Sequence, residues 1–126
     1  MEPDKKTLSS IIKCLKELSI QIRGLEKQAY EALYTEGDKE VYKNKLMEKA
    51  TLLKGISLLV DENLSKLPLP INTLLRDRLG GFSFSAGKAI QLDSVFYMKA
   101  LLYPEDYEEG DSNDLETFIG SLEEEL

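Results

Sequence analysis

Two apolar stripes of similar length, one on each side of Thr35-Glu36-Gly37-Asp38, leave this chain few folds to choose from. In the first, Leu8, Ile11, Leu15, Leu18, Ile22, Leu25, Ala29 and Ala32 recur at steps of three and four, the heptad spacing that keeps one seam of a helix against a partner helix. In the second, Tyr42, Leu46, Ala50, Leu53, Ile56, Val60, Leu64 and Leu67 form a comparable seam. Folding the chain about Gly37 sets Leu8 against Leu67, Ile11 against Leu64, Leu18 against Ile56 and Ala32 against Tyr42. Thr7 to Lys66 is therefore expected to form a long, antiparallel, coiled-coil-like helical hairpin. Gly37 suits the left-handed end of the first helix, and Asp38 can cap the second. Asp4 or Thr7 can cap the first. The register also places Gly24 near Ala50 and Gly55 near Ser19. Close helix contact there would offset the cost of about 1 kcal/mol that a mid-helix glycine carries relative to alanine.

The second seam broadens at Leu52, Leu58 and Leu59, so a further apolar face needs covering. Leu67-Pro68-Leu69-Pro70 stops the helix. Ile71 to Leu79 reads as a short third helix ended by Gly80, with Gly80-Gly81 as a joint. Two readings stand for residues 82–92: a helix capped by Ser85, which is favoured, and a small β-hairpin alternating about Ala86-Gly87. From Ser94 to Tyr103 only Ser94 and Lys99 are polar, which predicts a helix buried nearly all round. The fold class is thus all-α, a helical hairpin covered by two or three shorter helices. Residues 1–104 form the domain, and 105–126 an acidic linker with an amphipathic C-terminal helix.

Charge is unevenly placed along the chain. The 126 residues carry 16 basic and 23 acidic side chains, a net charge of −7. Residues 1–66 are nearly balanced, whereas 104–126 hold ten acidic and no basic residues. Phosphate affinity comes from Lys and Arg, so nucleic acid is not an expected partner, and a basic-rimmed surface is the better complement. The longest apolar runs, Val95 to Met98 and Ala100 to Tyr103, are four residues each, against about 20 for a membrane span. Cys14 is the only cysteine, which rules out an intramolecular disulfide, and the chain is read as cytoplasmic.

The chain has no histidine. Ser-His and Cys-His nucleophilic pairs, HExxH zinc sites and zinc deaminase signatures are all excluded, because each needs an imidazole. Gly81 to Lys88 does not match a phosphate loop in glycine spacing or in the residue after the lysine. The best remaining catalytic set is carboxylate: Glu105, Asp106 and Glu109, with Asp111 and Asp114, could supply oxygen ligands to a divalent metal in an all-α hydrolase. Blocks of like charge are more often solvated linkers.

A hairpin pattern assigns no function by itself. The favoured expectation is a small non-catalytic protein–protein interaction module, an adaptor or assembly factor without a cofactor. Its partner would meet an apolar helical groove and the C-terminal segment through Leu115, Phe118, Ile119, Leu122, Glu123 and Glu124. Whether that segment docks on its own domain or on a partner stays open, and the extra breadth at Leu52, Leu58 and Leu59 would let two hairpins pair as a homodimer.

Overall fold

A computed structural model describes residues 2–126, with side chains from residue 5 onward. All regular structure among them is helical. Helix α1 spans Glu2–Tyr34 and α2 spans Lys39–Lys54. A 3-10 turn over Ile56–Leu59 and a short α3, Asp61–Leu64, continue the second arm. Then come α4 (Ile71–Gln91), α5 (Val95–Ala100) and α6 (Asp114–Glu123). The capping role expected of the Asp4 side chain lies outside the described residues, and Thr7 sits inside α1 rather than at its start.

The hairpin follows from its seams. Gly37 takes φ 68°, a left-handed backbone that favours glycine, and the Asp38 carboxylate accepts a 3.0 Å hydrogen bond from the Val41 N–H. Leu8, Ile11, Leu15, Leu18 and Ile22 are buried in one apolar cluster with Leu53, Ile56, Val60, Leu64 and Leu67. A second cluster near the turn joins Ala29 to Leu46, Ala50, Ala89 and Met98.

Four expectations need correction. The second helix does not run to Lys66. It ends at Gly55, whose N–H turns back to the Thr51 and Leu53 carbonyls, and the 3-10 turn then keeps Ile56 and Val60 inward while Leu58 and Leu59 face out. The glycines are not close helix contacts either: a Cβ on Gly24 would meet nothing within 4 Å, and one on Gly55 would meet only its own helix's carbonyls. The third helix does not stop at Gly80; residues 82–92 are helical, the favoured of their two readings, and form no β-hairpin, but they continue that helix and are not capped anew at Ser85. Instead α4 passes through both glycines because Leu75, Leu79, Phe82, Ala86 and Ala89 form one stripe at steps of four, three, four and three, packed on the hairpin. That burial outweighs two glycine penalties of about 1 kcal/mol each. Finally, α5 is not buried all round. Met98 is its one buried side chain, and Phe96 is 74% exposed.

Helix α6 opens with a reciprocal capping box. The Asn113 side chain accepts from the Glu116 N–H at 2.9 Å, and the Glu116 carboxylate accepts from the Asn113 N–H at 2.8 Å. The helix lies on α1, with Leu115, Phe118, Ile119 and Leu122 in the same cluster as Leu8 and Leu15. Lys16 pairs with Glu123 at 2.6 Å, and the Arg78 guanidinium sits over the Phe82 and Phe118 rings at 5.3 and 5.6 Å.

Candidate functional site

The polar centre of the molecule is where α1, α2 and the segment after α5 meet. Arg23 of α1 grips Glu116 of α6 with two hydrogen bonds, Nε to Oε2 at 3.0 Å and Nη2 to Oε1 at 2.6 Å. It also donates to the Tyr103 hydroxyl at 3.1 Å and to the Asp111 carbonyl at 3.2 Å. Tyr103 in turn donates to Glu26 Oε1 at 2.5 Å. Lys49 of α2 is fully buried. Its ammonium lies 2.9 Å from Glu26 Oε2 in ion-pair rather than hydrogen-bond geometry, donates to the Lys99 carbonyl at 3.1 Å and sits 5.0 Å from the centre of the Tyr103 ring.

This network sews the linker to the hairpin. Leu102 adopts φ 76°, uncommon for a residue with a side chain; it stays buried, and its carbonyl accepts from the Asp114 N–H at 2.8 Å. Asn113 is buried too. Its oxygen is committed to the helix cap, which leaves Nδ2 with no hydrogen-bond partner among the described residues.

Burial pushes the Lys49 ammonium below the usual lysine range, Glu26 opposing that shift. Burial, reinforced by the bond to Glu26, raises the Tyr103 phenol. The Arg23 fork holds the Glu116 carboxyl below the usual carboxylate range. Because Glu116 binds its proton less readily when folded than unfolded, this pair stabilises the fold at neutral pH. Its contribution should fade as pH falls from about 4.3, the unfolded value, through the lower folded one. Urea denaturation of wild type and Glu116→Gln should therefore differ at pH 7 and converge at pH 2 to 3; a constant difference would remove the linkage.

Above the network lies an open groove of about 730 Å³. Buried Ala29, Leu46 and Lys49 form its floor, and Phe96, Lys99 and Ala100 stand on the α5 side. Five of the chain's six tyrosines line it: Tyr30, Tyr34, Tyr42, Tyr103 and Tyr107. Tyr30 and Tyr34 are exposed and Tyr42 is half-buried, so these three rings wall the groove and do not close the end of the hairpin core. The sequence held a signal for this groove in the i, i+4 spacing of Tyr30 and Tyr34 and of Tyr103 and Tyr107, whose rings lie 4.6 Å apart within each pair.

The residues singled out from sequence separate. Leu115, Phe118, Ile119 and Leu122 are buried against α1, Glu123 is paired with Lys16, and Glu124 is exposed. Glu105, Asp106 and Glu109 are exposed on the segment after α5; among the described residues no three carboxylates or other ligating side chains converge as a metal site would require. No helix of the described residues is long and apolar enough to cross a membrane. No family model, no curated protein and no solved structure matches this chain, so the groove and its charged floor are interpreted from the chain's own residues.

Proposed function

We propose that this chain is a non-catalytic protein–protein interaction module, an adaptor or assembly factor of the cytoplasm, whose tyrosine-lined groove receives an apolar, basic-rimmed surface of a partner. The observation that carries this reading is the gathering of five tyrosines and exposed Phe96 around a preformed hollow. Tyrosine offers large contact area at low cost in side-chain entropy, and aromatic residues dominate the energetic centres of interfaces. The C-terminal segment adds acidic charge through Glu124, whereas Leu115, Phe118, Ile119 and Leu122 would reach a partner only by leaving α1.

Phe96→Ala and Tyr34→Ala change exposed side chains and should leave the melting temperature within a few degrees. Affinity capture from the native cell, read by mass spectrometry, should then yield a protein retained by wild type and lost from both variants. If every captured protein is retained equally by the variants, the groove is not the interface. The carboxylate-hydrolase alternative has its own signature: heat on titration with magnesium, manganese or calcium that disappears when Glu105, Asp106 and Glu109 are changed together.

A second contact, with another copy of this chain, is favoured by the opposite side of the hairpin. There Gln21, Gly24 and Leu25 of α1 face Met47, Thr51 and Leu52 of α2 along two open hollows of about 590 and 480 Å³, with Glu17 and Glu48 as the only charged lining residues. Ile20 and Leu59 line this face, 72% and 48% exposed. On a chain of net charge −7, a nearly uncharged face is where two copies can approach with least repulsion. Sedimentation equilibrium should show a concentration-dependent dimer that Leu59→Glu abolishes; a monomer at high concentration removes this contact.

A further inference from the structure

The groove's lining and its border differ in charge, and the difference identifies an occupant. The lining is balanced: Glu26 and Glu109 against Lys49 and Lys99, with Lys49 sealed beneath Tyr103 and already paired. The border is not balanced. One wall, Tyr103 to Glu109, belongs to a segment that carries Glu105, Asp106, Glu108, Glu109 and Asp111 and no Lys or Arg. At the Tyr30 and Tyr34 side, α1 reaches its C-terminus, where the carbonyl ends of a 33-residue helix present negative charge and the last turn has no basic residue to offset it. Glu31 and Glu36 lie at the same end, both exposed.

Resting on the interaction reading above, we infer that the groove's occupant is a short linear peptide segment of another protein, with two or three apolar side chains in the hollow and Lys or Arg directly beside them. A volume of about 730 Å³ suits a ligand or a few side chains and not a broad protein face. Exposed tyrosine rings accept apolar side chains and also the faces of guanidinium and ammonium groups. The acidic border and the helix terminus then attract the flanking cations and disfavour acidic segments, which supplies selectivity and a faster encounter. Nucleic acid is disfavoured by the same border, because its phosphates would face these carboxylates.

The test uses the full chain, immobilised, to select from a phage-displayed library of random 12-residue peptides. Synthetic copies of the enriched peptides are then measured by fluorescence anisotropy. The comparison variants are Phe96→Ala, in the groove, and a border variant combining Glu105→Gln, Asp106→Asn, Glu108→Gln and Glu109→Gln. All four border side chains are exposed, so circular dichroism and melting should match wild type. The expected result is enrichment of peptides with an apolar core beside Lys or Arg. Their affinity should fall roughly tenfold in the border variant at low salt, and the difference should shrink as salt is raised. Peptides that depend on Phe96 but lack basic residues, or bind the border variant as well as wild type, would overturn the cationic occupant and leave the interaction groove standing. If no enriched peptide loses affinity in Phe96→Ala, the groove itself is not a peptide site and both readings fall.

Discussion

A chain ended after Tyr107 should lack a cooperative folded state at room temperature. Such truncation removes Leu115, Phe118, Ile119 and Leu122, all buried in the cluster that contains Leu8, Leu15 and Leu18 of α1. Burial of each large apolar side chain is worth about 1.5–3 kcal/mol, and the total stability of a domain is only about 5–15 kcal/mol, so losing four consumes most or all of it. The damage extends beyond the apolar contacts. Arg23 would lose both hydrogen bonds to Glu116 and the one to the Asp111 carbonyl, while Lys16 would lose Glu123. Far-UV circular dichroism and urea denaturation of the truncated chain give the measurement. A cooperative transition with the wild-type midpoint would show that α6 is an appendage, and the C-terminal stripe would then be free for a partner in the way the sequence also permits. Phe118→Ala offers a graded version, with an expected loss of about 3–5 kcal/mol.

The hairpin was legible because it rests on a repeating signal. Fourteen of the sixteen seam positions are buried, and the two that are only half-buried, Leu25 and Tyr42, line the open hollows. Local chemistry at the turn was equally readable, Gly37 and Asp38 behaving as their residue types require, and the same chemistry recurs where Ser94 accepts from the Tyr97 N–H and where Asn113 and Glu116 open α6. The errors lie where a local preference and a tertiary one disagree. Gly80 and Gly81 favour a break, and the Phe82-Ser83-Phe84-Ser85 alternation suits a strand, but the stripe from Leu75 to Ala89 is buried only if the helix continues. Phe84 shows the cost of that choice, for it is left exposed.

The candidate site was much less legible, for a physical reason. Its residues lie far apart in sequence: Arg23 and Glu26 on α1, Lys49 on α2, Tyr103 after α5 and Glu116 on α6. Each of the four charged ones looks like an ordinary surface charge within its own helix. Lys49 reads as one of a row with Lys43, Lys45 and Lys54, yet it alone of the four is buried. Periodicity distinguishes apolar from polar faces, but it cannot show that a later segment will fold across a polar face and cover it.

That cover makes the Lys49–Glu26 pair the most consequential polar contact in the molecule. Glu26→Ala should destabilise the fold by about 3 kcal/mol, because it leaves the fully buried Lys49 ammonium with the Lys99 carbonyl and the face of Tyr103 but no counter-charge. The low end of the usual 3–5 kcal/mol for breaking a buried pair is expected, since the Glu26 side chain is 16% exposed and water can enter from its side. The variant also removes the acceptor of the Tyr103 hydroxyl, so the packing of the 103–113 segment should loosen with it. The combined variant Glu26→Gln with Lys49→Met separates these effects. Glutamine still offers Tyr103 an acceptor, and methionine fills the lysine site without a charge to desolvate, so the double variant should recover most of the stability or exceed wild type. The pH dependence gives an independent check. Lys49 has a folded pKa below its unfolded value of about 10.4, so native protein releases this proton first as pH rises, and the group adds stability between the two values. Tyr103 acts oppositely above about pH 10, where the unfolded phenol ionises and the folded one does not. Wild-type urea midpoints should therefore rise relative to those of the double variant from pH 7 to 10, so that the curves converge if the variant starts as the more stable and diverge if it starts as the less stable. Parallel curves would mean that Lys49 exchanges its proton alike in both states, and the pair would then be no more than a surface contact in energetic terms.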